Sequence, residues 1–355
     1  MRIRVAILEK DAAYLSRITS AFGQKYADKL EIYSFTDPEQ AKETVFAAKI
    51  DVFLVGDDYP GIASTNDNRC TTAFLVNSSD VESLNGIPTI CRFQKIDLIY
   101  KQILGLYAEQ AKGVVEKSAD EGEICSRVIC FTSPAGGTGA SSMAAACALH
   151  YARQNYRVMY LNLEQFGGAE EYFTGEGVAT LSDVIYAVKS GKANLPLRLE
   201  SCVRHDPRGV SFFARPKIAL DMMEFHTDAM SQLIRQLRKM NSYDVIVFDM
   251  DYSMDEAALQ TMGEASSIVW ISDGTTTANG KLLSALAALK VLDTNRDSSL
   301  ERHLCLIYNK FSNKSGVTMP ENTLKFLGGA PRFDQASSAQ VIEKLSEKPF
   351  FDSIE

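Results

Sequence analysis

Apolar and polar positions along the chain fall into two rounds of the same alternation. The stretch Ile3-Arg4-Val5-Ala6-Ile7-Leu8 is an apolar run of strand length, and residues 11–25 then carry Tyr14, Leu15, Ile18 and Phe22 at helical spacing. The alternation continues with strands expected over 30–35, 51–55, 73–76 and 87–91, and helices over 39–48 and 97–111. Strands alternating with helices in this way predict a parallel α/β sheet within roughly the first hundred residues. From Lys112 to Glu123 the residues are charged or small and show no apolar period. A domain boundary is expected there, giving a first domain over 1–110, a linker over 111–125 and a second domain over 126–355.

The second round opens with a strand over 127–131, a Gly-rich turn over 133–139 and a helix of small residues over 141–153. Further strands are expected over 157–161, 210–213, 245–248, 268–271 and 304–308, with helices over 181–190, 228–240, 255–263 and 280–293. The fold class expected is therefore α/β, two doubly wound parallel-sheet domains in series. Met222, Met223 and Phe225 are read as core packing, and Trp270 as a buried residue of a central strand.

Composition narrows the function classes. With 355 residues, 46% hydrophobic and 23% charged, the chain holds enough apolar surface for two cores. Its 45 acidic and 37 basic residues give a net charge of −8, which disfavours a surface that coats nucleic acid or anionic membrane. Cys70, Cys91, Cys125, Cys130, Cys147, Cys202 and Cys305 include no Cys-x-x-Cys pair, so neither a disulfide framework nor a zinc site is expected, and a reducing cytoplasm fits. His150, His205, His226 and His303 lack metal-ligand spacing and read as structural. Glu9, Lys10 and Asp11 interrupt the first apolar run before a signal-peptide core forms, and no stretch approaches ~18 apolar residues. A soluble protein that is not exported is expected.

The chemistry concentrates in Ser133-Pro134-Ala135-Gly136-Gly137-Thr138-Gly139-Ala140-Ser141-Ser142, between a buried strand and a helix. Glycines let several backbone N–H groups converge, and the helix N-terminus adds partial positive charge, which together make a nest for phosphate. A later apolar strand ends in Asp249-Met250-Asp251, where a Walker B carboxylate would organise Mg²⁺, with Ser141 supplying the hydroxyl at the end of the loop. A third strand ends in Asn309, whose amide has the donor and acceptor needed to read an adenine edge.

On these residues, 126–355 resembles the MinD/ParA family of deviant Walker A ATPases, a P-loop NTPase fold whose loop reads Lys-Gly-Gly-x-Gly-Lys-Ser/Thr. Gly136, Gly137, Thr138, Gly139 and Ser141 match, while Ala135 and Ala140 stand at the two lysine positions. The family's switch I, Asp-x-Asp-x-Gln, corresponds to Asn162-Leu163-Glu164-Gln165, which makes Glu164 the candidate catalytic carboxylate. Asp249 matches Walker B, Asn309 the adenine-reading asparagine, and Pro331 the proline near the base. The resemblance implies ATP and Mg²⁺ as cofactors, with Gly136, Gly137, Thr138, Gly139, Ala140, Ser141, Ser142, Asn309 and Pro331 around the nucleotide and Ser141 and Asp249 on the metal. It also implies a homodimer. In the family one lysine holds the β- and γ-phosphates and the other reaches the partner's nucleotide, so their loss leaves binding intact and hydrolysis weak or absent. Lys281, Lys310 and Arg215 are the cations considered as replacements, and the sequence places none of these on a phosphate.

The front domain resembles a response-regulator receiver, a flavodoxin-like fold. Its phosphoacceptor strand corresponds to 51–61, which puts Gly56 at the acceptor position and Asp57 and Asp58 just beyond it. Glu9 and Asp11 correspond to the acidic pair and Lys95 to the receiver lysine. A receiver without its acceptor, fused to a degenerate MinD/ParA-like domain, is the architecture of the TadZ/CpaE group, which positions Flp-type pilus assembly machinery at the cell pole. That resemblance implies an ATP-binding localisation scaffold, cytoplasmic at the pole beside the inner membrane, with pilus assembly proteins as partners. The alternative is an active ParA/MinD-like positioning ATPase, which expects lysine at 135 and 140. No nucleic acid is expected as a partner. Membrane-binding relatives end in a basic amphipathic helix, whereas here Pro349 and an acidic end disfavour direct membrane insertion.

Overall fold

The computed structural model describes residues 2–63, 70–110, 126–191, 194–225, 228–296, 299–320 and 323–354. The expected linker 111–125, with Cys125, and His226 lie outside the described residues. The chain divides into two compact units, Met1–Val115 with Lys192–Ser201, and Glu116–Gly191 with Cys202–Glu355.

In the first unit the elements run β1 (Ile3–Leu8), α1 (Ala12–Lys25), β2 (Leu30–Phe35), α2 (Pro38–Ala47), β3 (Val52–Gly56), α3 (Pro60–Ala63), β4 (Thr71–Val76), β5 (Ser83–Leu84), β6 (Ile87–Cys91) and α4 (Ile96–Gln110). The sheet order is β2-β1-β3-β4-β6-β5, parallel except for the short β5. Both faces are covered. Val5, Ile7 and Leu54 pack with Leu15, Ile18 and Phe22 of α1 and Ile103 of α4, whereas Ala6, Leu8 and Phe53 pack with Ala41 of α2. Strands buried on two sides favour apolar residues at successive positions, which is why β3 reads as a continuous run and β1 is broken by half-buried Arg4 alone.

The second unit continues with β7 (Arg127–Thr132), α5 (Ala140–Arg153), β8 (Val158–Asn162) and α6 (Leu181–Ser190); α7 (Leu195–Cys202) interrupts it, falling almost wholly in the segment grouped with the first unit. There α7 is held by ion pairs Lys29–Glu200 at 3.1 Å and Arg198–Glu109 at 3.4 Å. The second unit resumes with β9 (Arg204–His205), β10 (Val210–Phe212), α8 (Leu220–Phe225), α9 (Asp228–Lys239), β11 (Val245–Asp249), α10 (Glu256–Met262), β12 (Ser267–Ser272), α11 (Thr276–Arg296), β13 (Leu304–Tyr308), β14 (Lys325–Gly329) and α12 (Ser338–Ser346).

Its sheet order is β14-β13-β12-β7-β11-β8-β10-β9, parallel except β9. From β7 the chain works outward to β8 and β10, returns to β11, then moves the other way through β12, β13 and β14. The reversal leaves a crevice at the carboxyl ends of β7 and its neighbours, the place where open α/β sheets bind ligands. Trp270 is fully buried in β12, as expected. Met222 and Phe225 are buried as well, but Met223 is 59% exposed on the outer side of α8. Pro349 does break the helix after α12, and a 3-10 turn, Pro349–Ser353, follows. No described helix is long and apolar enough to cross a membrane.

Candidate functional site

The phosphate-nest candidate is built from the end of β7. Ser133 Oγ donates to Ile271 O at 2.6 Å and accepts from Ala135 N at 3.1 Å, which ties the start of the turn to β12. Gly137 and Gly139 have φ of 80° and 86°, the left-handed region that glycine enters without strain. At Gly139 a Cβ would also lie 2.5 Å from Asn309 Nδ2. Gly139 is the N-cap of α5 and makes no side-chain cap bond. Among the described residues, the seven amides from Gly136 to Ser142 donate no hydrogen bond, whereas that of Ala135 donates to Ser133 Oγ. A run of free amides at the start of a 14-residue helix is the arrangement that takes an anion. The helix behind it is almost wholly buried, and Ala144, Ala145, Ala146 and Ala148 let it lie close between the sheet and α12.

A carboxylate cluster faces this loop. Asp249 ends β11, in register with Phe131 of β7 on one side and Asn162 of β8 on the other. Ser141 Oγ donates to Glu164 Oε1 at 2.9 Å, and Asn162 Nδ2 lies 3.0 Å from Glu164 Oε2 and 3.3 Å from Asp249 Oδ2. Asp249 Oδ1 and Asn162 Oδ1 are buried without a hydrogen-bond partner. Burial, and after it the charge of Glu164, pushes the Asp249 carboxyl well above the usual carboxylate range. A cation would reverse that imbalance. Hydroxyl and carboxylate oxygens suit Mg²⁺, which takes one or two carboxylates and completes its shell with phosphates and water. Among the described residues no three His, Cys, Asp or Glu side chains converge as an all-protein metal cage. The donor set thus fits a metal carried in with phosphate.

Gly136 to Ser141, Glu164, Asp249 and Asn309 are brought together at this end of the sheet. Asn309 Nδ2 donates to Thr138 O at 2.8 Å, which engages one of its two N–H groups on the loop. Pro331 is exposed just past β14, whose Gly329 pairs with Tyr308 of β13. Of the three cations considered as replacements, Lys310 reaches the loop, its Nζ donating to Gly137 O at 2.8 Å. Arg215 packs against Gly168 and faces Glu170 and Glu171 at 3.8 Å each, and Lys281 is exposed on α11. Gly167 was not singled out from sequence. A Cβ there would lie 2.5 Å from both Asn162 Oδ1 and Glu164 Oε2, so glycine is what lets the segment after β8 close over the carboxylates. The doublet Gly167-Gly168 was the available signal. Phe166 beside it is 79% exposed.

In the first unit, Glu9 follows β1 and is 1% exposed, and Asp11 N-caps α1 by accepting from the amides of Ala13 and Tyr14. Gly56 ends β3, where a Cβ would stand 3.2 Å from Glu9 Oε2. The cation that meets these acids is Arg92, directly after β6. It lies 3.3 Å from Glu9 Oε2, pairs with Asp57 and donates to Leu75 O at 2.7 Å. The sequence comparison gave this role to Lys95, three residues on, whose carbonyl accepts from Leu98 N as α4 begins.

Residues 1–108 match the family model of the TadZ-like receiver domain. No curated protein matches the chain in sequence. Among solved structures the chain is similar to a ParA family ATPase from Chlorobium tepidum TLS, with 20% identity and a TM-score of 0.51 over 65% of this chain and 96% of that one. It is also similar to the septum site-determining protein MinD complexed with Mg-ADP from Pyrococcus horikoshii OT3, at 15% identity and TM-score 0.47, over 62% of this chain and 95% of that one. A third similar structure is a Cyanothece McdA–ATP complex, at 12% identity and TM-score 0.48, over 65% and 95% of the two chains. The first likeness is one of fold.

Proposed function

From a TadZ-like receiver domain joined to a unit of ParA-type fold, we propose that this protein is an ATP-binding localisation scaffold that hydrolyses ATP weakly or not at all, serving assembly of a Flp/Tad-type pilus at the cell pole. The observation that carries the reading is the run of free amides from Gly136 to Ser142, beside a cluster of half-buried Ser141 and Glu164 with buried Asp249. The loop amides would take phosphate oxygens. Ser141, Asp249 and Glu164 would hold the magnesium, which when bound supplies charge neutralisation across neighbouring phosphate oxygens. With one of the two N–H groups of Asn309 Nδ2 engaged by Thr138 O, its Oδ1 acceptor would take the amino group of adenine, whereas the carbonyl of guanine offers it no donor.

Hydrolysis asks for more than binding. Charge clamps of the kind missing at Ala135 and Ala140 are worth roughly 10³-fold or more in phosphoryl transfer. Backbone amides hold the ground state but leave charge developing on the transferred group uncompensated. The two alanines therefore favour a scaffold over the alternative of an active positioning ATPase. In the receiver unit, Gly56 offers no acyl-phosphate-forming carboxylate and Arg92 already neutralises the acids. That unit then acts as a docking module that is not phosphorylated, with pilus assembly proteins as its partners. Calorimetric titration of the full chain tests the binding: ATP–Mg²⁺ should bind and GTP–Mg²⁺ at least tenfold more weakly, by roughly one lost hydrogen bond. Absence of any nucleotide binding would end this reading.

A further inference from the structure

Lys310 has φ 57°, a left-handed backbone conformation uncommon outside glycine and worth an explanation. Along an extended chain, successive side chains point to opposite faces. The left-handed residue after β13 breaks that alternation and lets Asn309 and Lys310 reach the same loop. Asn309 Nδ2 donates to Thr138 O and Lys310 Nζ to Gly137 O, each at 2.8 Å. Two consecutive side chains thus hold two consecutive loop carbonyls.

The consequence follows from peptide geometry. In a planar trans peptide the N–H of one residue points opposite to the C=O of the residue before it. Fixing the Gly137 carbonyl towards β13 turns the Thr138 N–H away from β13, and fixing the Thr138 carbonyl does the same for the Gly139 N–H. Those amides belong to the free run at the start of α5. Lys310 contacts the carbonyl side of the loop, so its ammonium does not take the place of either absent lysine as a phosphate ligand.

We infer that Lys310 is a positioning residue for phosphate binding: by gripping the Gly137 carbonyl it aims the loop amides into the nest, offsetting in preorganisation part of what Ala135 and Ala140 lack in charge. The inference rests on the nucleotide reading above. Asn309 alone cannot supply it, since its one bond fixes only the second of the two peptides.

The test compares the full-length chain with Lys310→Met, which keeps the apolar stem and removes the donors, and with Lys310→Arg, which restores a donor of similar reach. Calorimetry with ATP–Mg²⁺ gives the affinities and thermal unfolding of each chain reports folding. The expected result is roughly a tenfold or greater loss for Lys310→Met, the scale of a charge-assisted hydrogen bond. It comes with an unfolding temperature close to that of the parent, and Lys310→Arg recovers most of the affinity. If the parent binds ATP and Lys310→Met binds within twofold of it, the assignment of Lys310 is overturned while the nucleotide reading stands. Equal loss in both variants with lowered unfolding temperatures shows a merely structural contact and also overturns it. A parent chain that binds no nucleotide overturns both readings together.

Discussion

At Gly139 two requirements coincide, a left-handed φ of 86° and the space taken by the Asn309 amide. Gly139→Val would bring both a strained backbone, at a cost of ~1–3 kcal/mol, and a side chain against the group that aims the loop. We expect ATP–Mg²⁺ affinity to fall by roughly tenfold to a hundredfold, read by titration with the unfolding temperature as control. Gly136 is different, since its φ is not left-handed and a Cβ there would meet nothing within 4 Å. Two of the loop's three glycines are therefore required by backbone and one is tolerant of replacement, a distinction the sequence pattern does not make.

The receiver pocket makes the same point with charge. Glu9 and Asp57 were visible as acids near a strand end, but the cation between them was assigned to Lys95 by spacing. Arg92 is reached through the end of β6, a position fixed by sheet order. Removing one partner of a buried pair leaves the other charge uncompensated, at about 3–5 kcal/mol. Arg92→Met should therefore destabilise the first unit by about that much, and Glu9→Gln in the same chain should recover part of the loss. The chain has one tryptophan, Trp270, and it lies in the second unit. Circular dichroism should accordingly show an earlier unfolding phase in Arg92→Met while the tryptophan transition stays in place. A single shifted transition seen by both probes would contradict this.

Among the elements, several were readable to the residue. Strand positions 30–35, 87–91 and 304–308 and helix 181–190 match the structure residue for residue: β13 is buried throughout and α6 carries a strong apolar stripe, whereas β2 and β6 are only partly buried. The strands missed lie at edges, and the helices missed are α3, α7, α8 and α12. In β14 the residues are exposed or half-buried, Phe326 being 58% exposed, since an edge strand is held by backbone pairing to β13. The short β5 and β9 are edge strands too. Helix α11 begins four residues earlier than expected, at Thr276, where Asn279 is buried by hydrogen bonds to Ser272 and Val317 and gives no apolar signal.

The C-terminal segment was read only for what it does not do, and its structural role is packing against α5. His150 on that helix bonds to Ser346 O at 2.8 Å and Asp352 Oδ1 at 2.9 Å, and Gln154 Nε2 donates to the same carboxylate. Hydrogen bonds from Gln154 and then His150 hold the Asp352 carboxyl below its ordinary value. A carboxylate lowered in the folded state contributes stability above its unfolded pKa and loses it as pH falls through the folded one. Asp352 is more than half exposed, so solvent screening limits the contribution to at most about 1 kcal/mol. Asp352→Asn should lower the unfolding temperature at neutral pH by no more than about 2–4 °C, and the difference from the parent should vanish in acid. An unfolding-temperature difference that persists below the carboxylate range would refute the assignment.

At the scale of the whole molecule, the two-part α/β architecture was legible from the repeated alternation, because each strand-helix unit carries its own period. The grouping of Lys192–Ser201 with the first unit was not, since nothing in the composition of α7 separates it from the helices around it. We expect the chain to form a homodimer through its second unit. Without cations at 135 and 140, assembly need not await a γ-phosphate, and light scattering should give the same dimer mass with ATP and with a non-hydrolysable analogue. A monomer at micromolar concentration with nucleotide bound would contradict that expectation. Slow turnover suits a long-lived marker of a site and not a protein that cycles between sites.

The central claim, binding without appreciable hydrolysis, is tested by the identity of the nucleotide held over time. The full chain is loaded with ATP and Mg²⁺, freed of unbound nucleotide, sampled over hours, denatured, and the released nucleotide is separated by chromatography. Stoichiometric ATP that remains ATP is the expected result. Rapid conversion to ADP, at a pace equal to lysine-containing relatives measured alongside, would show that another cation completes the site and would contradict it.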